Sequence, residues 1–300
     1  MSSEAIFRGY DREALDEQYN NRARIPHYLD CFQRWLDWSA ETRVTLPCDL
    51  DVAYGALPVE TLDVFPARQA GAPILIMIHG GYWYSLDKQH NSFVAEGFRP
   101  HGVVTVVINY GLAPGFRMDE IVRQNRAAAA WVWRNAATFG GDPSRIHVLG
   151  QSAGGHLAAM LLATDWPSFG AGLPPALVKS AVSMSGLYDL EPIRLCYLND
   201  KLRMDEAEAR RNSPVAQQYP VAAPLMLVSG DIESDEYARQ ANAMASVWQA
   251  HGYPFRRLGL PGLNHFTLAD PLREPHNRLT QAVIAQMQAS RGHPGLLARH

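Results

Sequence analysis

Hydrophobic positions along the chain fall into two rhythms, and the change between them comes near residue 73. Residues 1–43 space their apolar side chains three and four apart: Ala14, Leu15 and Tyr19, then Tyr28, Leu29, Phe32, Trp35 and Leu36. That spacing gathers them on one stripe of a helix, so an N-terminal helical extension packed against a larger body is predicted. Two alternating segments follow at 44–52 and 59–65, separated by Gly55 and Pro58. Alternation sends every second side chain to one face, which predicts an antiparallel hairpin.

From residue 73 the apolar positions come as short unbroken runs at 74–78, 103–108, 146–149, 180–184, 225–228 and, more weakly, 255–260. A strand covered on both faces has no polar side, so these runs predict a mostly parallel sheet with helices on either side. The intervening helices are predicted near 119–139, 153–164, 236–251 and 274–290, with Asp119 and either Ser234 or Asp235 as caps. Gly141-Asp142-Pro143 predicts a turn into the run at 146–149. Residues 187–215 interrupt the rhythm with mixed charged and apolar positions, as an inserted cap does. The expected organisation is a helical extension (1–43), one α/β domain (44–290) and a tail (291–300).

Composition narrows the function without choosing it. With 47% hydrophobic residues, the 300-residue chain can bury a sizeable core. A formal net charge of −3 implies no basic surface for nucleic acid. No apolar stretch approaches the ~18 residues of a bilayer span, so no membrane partner is expected. Cys31, Cys48 and Cys196 lie far apart and form no disulfide framework, and the N-terminus lacks a signal-peptide pattern. A cytoplasmic protein is the expectation, with a homodimer as the candidate assembly.

The chemistry concentrates at Gly150-Gln151-Ser152-Ala153-Gly154-Gly155, which joins the run at 146–149 to a helix-forming stretch. A Gly-x-Ser-x-Gly pentapeptide is common, but on a strand–turn–helix corner it places a serine in strained backbone at a helix N-terminus. Ser152 is therefore the expected nucleophile of an α/β-hydrolase fold. His79-Gly80-Gly81-Tyr82-Trp83 follows the run at 74–78, and its glycines leave backbone N–H groups free to meet a developing oxyanion. Gly81 and Tyr82 are the expected donors, joined by Ala153 after the nucleophile, with Gly80 shaping the loop. In this fold the acid precedes the base along the chain. The loop after 225–228 offers Asp231, Glu233, Asp235 and Glu236; a Gly-x-x-acid ending selects Glu233, with Asp231 second. His265, on the loop 261–266, is the expected base. Tyr82, Trp83, Tyr110 and Tyr188 are candidates to wall a substrate pocket. His79, His90 and His101 are evenly spaced but fall on different elements, so neither a metal nor another cofactor is expected.

These residues resemble the kynurenine formamidases (arylformamidases) of the α/β-hydrolase fold and their related esterases. The resemblance rests on the H-G-G-x-W loop at 79–83, the nucleophile segment 150–166, Ser185-Gly186-Leu187-Tyr188-Asp189-Leu190, the acid loop from Gly230 to Gln240, and Asn264-His265-Phe266. It spans residues 44–290, and the first 43 residues look like the extension of bacterial members. Asn109-Tyr110-Gly111-Leu112-Ala113-Pro114 is similar to the Y-R-L-A-P run of hormone-sensitive-lipase-type esterases, but Gly111 replaces its arginine. The resemblance implies a serine hydrolase removing a formyl or small acyl group from an aryl amine. A carboxylesterase is the alternative. A non-catalytic binding module on this fold is disfavoured because Ser152 and His265 are both retained.

Overall fold

The computed structural model describes residues 4–290; the expected tail at 291–300 lies outside the described residues. Three helices open the chain: α1 (Arg12–Tyr19), α2 (Asn21–Arg24) and α3 (Tyr28–Thr45). Among the described residues, eight strands then form one sheet: β1 (Asp49–Ala53), β2 (Thr61–Phe65), β3 (Ala72–Ile78), β4 (Val104–Ile108), β5 (Gly141–Gln151), β6 (Val178–Met184), β7 (Leu225–Ile232) and β8 (Phe255–Asn264). Their spatial order is β1-β2-β4-β3-β5-β6-β7-β8. The pairs β1–β2 and β2–β4 are antiparallel, and all pairs from β4–β3 to β7–β8 are parallel. This is the α/β-hydrolase sheet, with the antiparallel hairpin at one edge.

The unbroken apolar runs are two-faced strands. In β3, Ile74, Ile76 and Ile78 enter one core while Leu75 and Met77 enter the other. The first core is covered by α5 (Met118–Asn135), α6 (Ala153–Leu162) and α11 (Asp235–Ala250). The second is covered by α3, α4 (Val94–Phe98) and α12 (Arg278–Ala289). The N-terminal extension divides between them: Leu15 and Tyr19 of α1 join the first core, Cys31 and Trp35 of α3 the second. Residues 20–27 therefore cross from one face of the sheet to the other. A short helix α7 (Trp166–Phe169) follows α6, and residues 187–215 hold α8 (Glu191–Leu195), α9 (Asn199–Leu202) and α10 (Glu206–Arg211). Among the described residues, no helix is long and apolar enough to cross a membrane.

Several boundaries differ from the expected ones. The first strand begins at Asp49, because α3 continues through Val44, 87% exposed, until Pro47 blocks further helix. The turn expected at 141–143 is absorbed into β5 as a register shift against β3. Arg117, not Asp119, occupies the cap position of α5, and Asp119 instead pairs with Arg211 at 2.6 Å. Ser234 sits at the cap position of α11, but its hydroxyl donates to the Gln18 carbonyl at 2.6 Å. The last helix starts at Arg278, capped by Asn277, after a 3₁₀ stretch at Thr267–Arg273.

Candidate active site

The serine turn is fixed by close packing. β5 runs to Gln151 and α6 begins at Ala153, so a single residue, Ser152, reverses the chain at φ 56° and ψ −118°. Its N–H donates to the Met184 carbonyl of β6 at 2.8 Å. A Cβ on Gly154 would lie 2.1 Å from the Ile78 carbonyl oxygen of β3, so only glycine lets α6 start this close to the sheet. Strained backbone of this kind persists only where its surroundings over-determine it, and here the sheet and helix both do.

Pairing of β7 with β8 brings two further groups together. After a register shift, Ile232 lies opposite Asn264, so the next residues on each strand, Glu233 and His265, are neighbours. The His265 Nδ1–Glu233 Oε1 distance is 2.8 Å, and both side chains are only 5% exposed. The other carboxylate oxygen accepts from Ser185 Oγ at 2.7 Å and from the Gly230 N–H at 3.2 Å. Gln151 Nε2 donates to the His265 carbonyl at 2.6 Å, tying the histidine loop to the serine turn. Asp231 is directed elsewhere: it accepts from the Gly262 N–H at 2.8 Å. Ser152 and His265 line one narrow cleft.

The loop after β3 curls over that cleft. Gly81, Tyr82 and Trp83 have φ of 103°, 50° and 58°, and the Gly81 carbonyl accepts from the N–H groups of Tyr84 and Ser85 and from Ser85 Oγ. Among the described residues, none accepts a hydrogen bond from the backbone N–H of Gly81, Tyr82 or Ala153. Gly80 packs on the serine turn, where a Cβ would stand 3.3 Å from Ser152 Cβ. His79 donates from Nδ1 to the Gly80 carbonyl at 2.8 Å and stacks on Tyr110 at 4.1 Å. Burial lowers its pKa to about 4, so its ring is neutral.

A profile of the BD-FAE family matches residues 62–244. Kynurenine formamidase from Salmo salar is 32% identical over 249 residues, covering 80% of this chain and 82% of that protein. The chain belongs to the formamidase-like α/β-hydrolase family. Esterase LipC from Mycobacterium tuberculosis is 31% identical over 249 residues, 74% of this chain and 60% of that one. A solved structure from Silicibacter sp. TM1040, provisionally described as a thioesterase, is 28% identical with a TM-score of 0.80 over 90% of this chain and 98% of that one.

Of the aromatic residues expected to wall the pocket of this formamidase-like chain, only Tyr82 reaches the cleft. Trp83, Tyr110 and Tyr188 form a layer behind it, each at most 1% exposed. Trp83 Nε1 donates to His156 Nδ1 at 3.2 Å, Tyr110 Oη donates to the His79 carbonyl at 2.9 Å, and the Tyr188 hydroxyl meets Ser183 Oγ at 2.7 Å. They hold the loops that hold the site. The cleft wall comes instead from Arg22, Phe32 and Trp35 of the N-terminal segment, with Leu86 and Phe266. The apolar stripe at 28–36 predicts packing on the domain but carries no signal for where on it. Behind the wall, Tyr82 Oη donates to the Tyr19 carbonyl at 2.6 Å and meets the Tyr237 hydroxyl at 2.7 Å, while Asn21 Nδ2 donates to both phenols. The single proton of Tyr82 goes to Tyr19, so Tyr237 donates to Tyr82. The Tyr237 ring also packs on the His265 ring at 4.7 Å.

Proposed function

We propose that the protein is a serine hydrolase that removes a formyl group from an aryl amine, with N-formylkynurenine as the type of substrate. The observation that carries this reading is the Glu233–His265 hydrogen bond beside Ser152, in a cleft roofed by unengaged N–H groups. Glu233 holds the His265 Nδ1 proton, leaving Nε2 free as a base. Ser152 Oγ attacks the formyl carbon while Nε2 takes its proton. The carbonyl oxygen becomes an oxyanion held by the N–H groups of Gly81, Tyr82 and Ala153. His265 then passes the proton to the departing amine nitrogen, and the carbon–nitrogen bond breaks. Water, deprotonated in turn by His265, attacks the formyl-serine ester and releases formate.

The walls of the cleft favour an aromatic leaving group. The cavity is about 30 Å³, lined by the rings of Phe32, Trp35 and Phe266. A formyl group needs almost no acyl space, and a flat leaving group suits aromatic walls. The kynurenine formamidase and esterase relatives support two chemistries on the same machinery. Comparing kcat/KM on N-formylkynurenine with that on short-chain aryl esters tests the choice. Preference for the formamide is expected, and a strong preference for esters would make the protein a carboxylesterase.

A further inference from the structure

The N-terminal segment places an uncompensated cation in the cleft. Arg22, on α2, lines it together with Ser152 and His265. Its guanidinium donates to Ser85 Oγ at 2.9 Å and lies 5.6 Å and 5.7 Å from the ring centroids of Tyr28 and Tyr84. Two ring faces and a hydroxyl fix its position, but none of them neutralises its charge. Among the described residues, no carboxylate lies within ion-pair distance of it. Other arginines of the fold are neutralised, Arg34 by Asp270 at 2.6 Å and Arg239 by Glu236 at 2.9 Å. Among the described residues, none that lines the cleft is acidic, and Glu233 is engaged by His265, Ser185 and Gly230. A rigidly held, half-buried guanidinium without a counter-charge is an anion site, and its fork of donors matches a carboxylate.

We propose that Arg22 selects substrates whose leaving group carries a carboxylate. The inference rests on the serine-hydrolase reading. A formyl group has one carbon and no charge, so any negative charge on such a substrate belongs to the leaving group. Arg22 is then a specificity residue supplied by the N-terminal segment to chemistry carried by the sheet.

A positioning role must be separated from this one, because Ser85 Oγ also donates to the Gly81 carbonyl of the loop over the cleft. Loosening that loop would slow every substrate alike. The test uses two matched pairs: formanilide against 3-formamidobenzoate, and phenyl acetate against 3-acetoxybenzoate. Wild-type protein should prefer the carboxylated member of each pair it turns over. Arg22→Gln should raise KM for the carboxylated member by roughly ten- to a hundredfold and change the neutral one by no more than about twofold. Arg22→Lys should restore part of the preference, since it returns the charge without the fork. Equal losses on both members, or no wild-type preference, would overturn the proposal. The ester pair reads out Arg22 even if the formamides are poor substrates. Calorimetric binding of 3-aminobenzoate against aniline gives the same readout without turnover; no wild-type difference there also overturns it.

Discussion

The carboxyl ends of β5, β7 and β8 and the N-terminal segment meet at one cleft, but they are built differently. The strand ends are held by main-chain register and by glycines that admit no other residue. Ile232 opposite Asn264 delivers Glu233 to His265, and Gly154 brings Ser152 to the carbonyl edge of β3. The N-terminal segment is held by side chains: the Tyr19, Asn21, Tyr82 and Tyr237 cluster on one face, and Trp35 with Arg34 on Asp270 on the other. Register fixes atoms to within a hydrogen bond, which bond-making chemistry needs. Side-chain docking allows the wall to vary while the chemistry stays, so the two regions should fail differently when altered.

The largest effect belongs to the strand ends. Ser152→Ala should lower kcat by about 10⁴- to 10⁶-fold with the circular dichroism spectrum and melting transition retained. Near-normal turnover would remove Ser152 from the chemistry and with it the division of labour between the two regions. Glu233→Gln comes next, with an expected loss of about 10³- to 10⁴-fold in kcat, because an amide cannot hold the Nδ1 proton and stabilise an imidazolium. Asp231→Asn should stay within a few-fold of wild type, since that carboxylate only braces the Gly262 N–H. If Asp231→Asn is the crippled variant, the acid has been misassigned.

How legible each region is in the sequence follows the same division. Strand-end chemistry leaves local marks: a serine among glycines, an H-G-G loop and a histidine after the last strand, each at a position the chain order dictates. Glu233 could be preferred over Asp231 from the Gly-x-x-acid ending of this fold and the likeness of the acid loop, but nothing in the segment from Ser185 to Leu190 says that its serine hydroxyl holds that acid. The wall leaves no such marks. The stripe Tyr28, Phe32, Trp35 says which helix face is buried, and nothing in a 3.6-residue period says what it is buried against. Tyr110 and Tyr188 illustrate the converse: aromatic residues next to motifs look like pocket walls, yet their hydroxyls are consumed in bracing.

A third expected effect concerns the layer behind the cleft. His156, fully buried on α6, accepts from Trp83 at Nδ1 and so carries its proton on Nε2, which lies 2.7 Å from the Asn212 carbonyl. Burial lowers its pKa to about 4, as it does for His79. An unfolded histidine titrates near ~6.5, so between pH 6.5 and 4 the unfolded chain binds more protons than the folded one. Stability therefore falls as pH drops through that window, by about 3 kcal/mol for each such histidine, and levels off below it. Urea unfolding from pH 7 to 4 measures the slope. His156→Gln keeps a donor and an acceptor in place and should reduce the slope by about one proton's worth, roughly 1.4 kcal/mol per pH unit. An unchanged slope would mean that this ring does not stay neutral in the fold.

The smallest effect tests the wall itself. Asn21, 2% exposed, donates from one amide nitrogen to the phenols of Tyr82 and Tyr237, and so ties the crossing segment both to the loop after β3 and to α11. Asn21→Ala removes two buried hydrogen bonds while leaving the Tyr237–Tyr82–Tyr19 chain able to donate as before. A loss of about 1–2 kcal/mol in unfolding free energy is expected, since the acceptors left behind are phenol oxygens that keep other partners. Kinetically, a loosened wall weakens substrate binding before it touches bond breaking, so KM should rise several-fold with kcat nearly unchanged. That is the opposite signature to Glu233→Gln, and measuring both variants on one substrate decides the point. Should Asn21→Ala depress kcat as far as the acid variant does, the Tyr237 ring on His265 is part of the chemistry, and the N-terminal segment does more than shape the entrance.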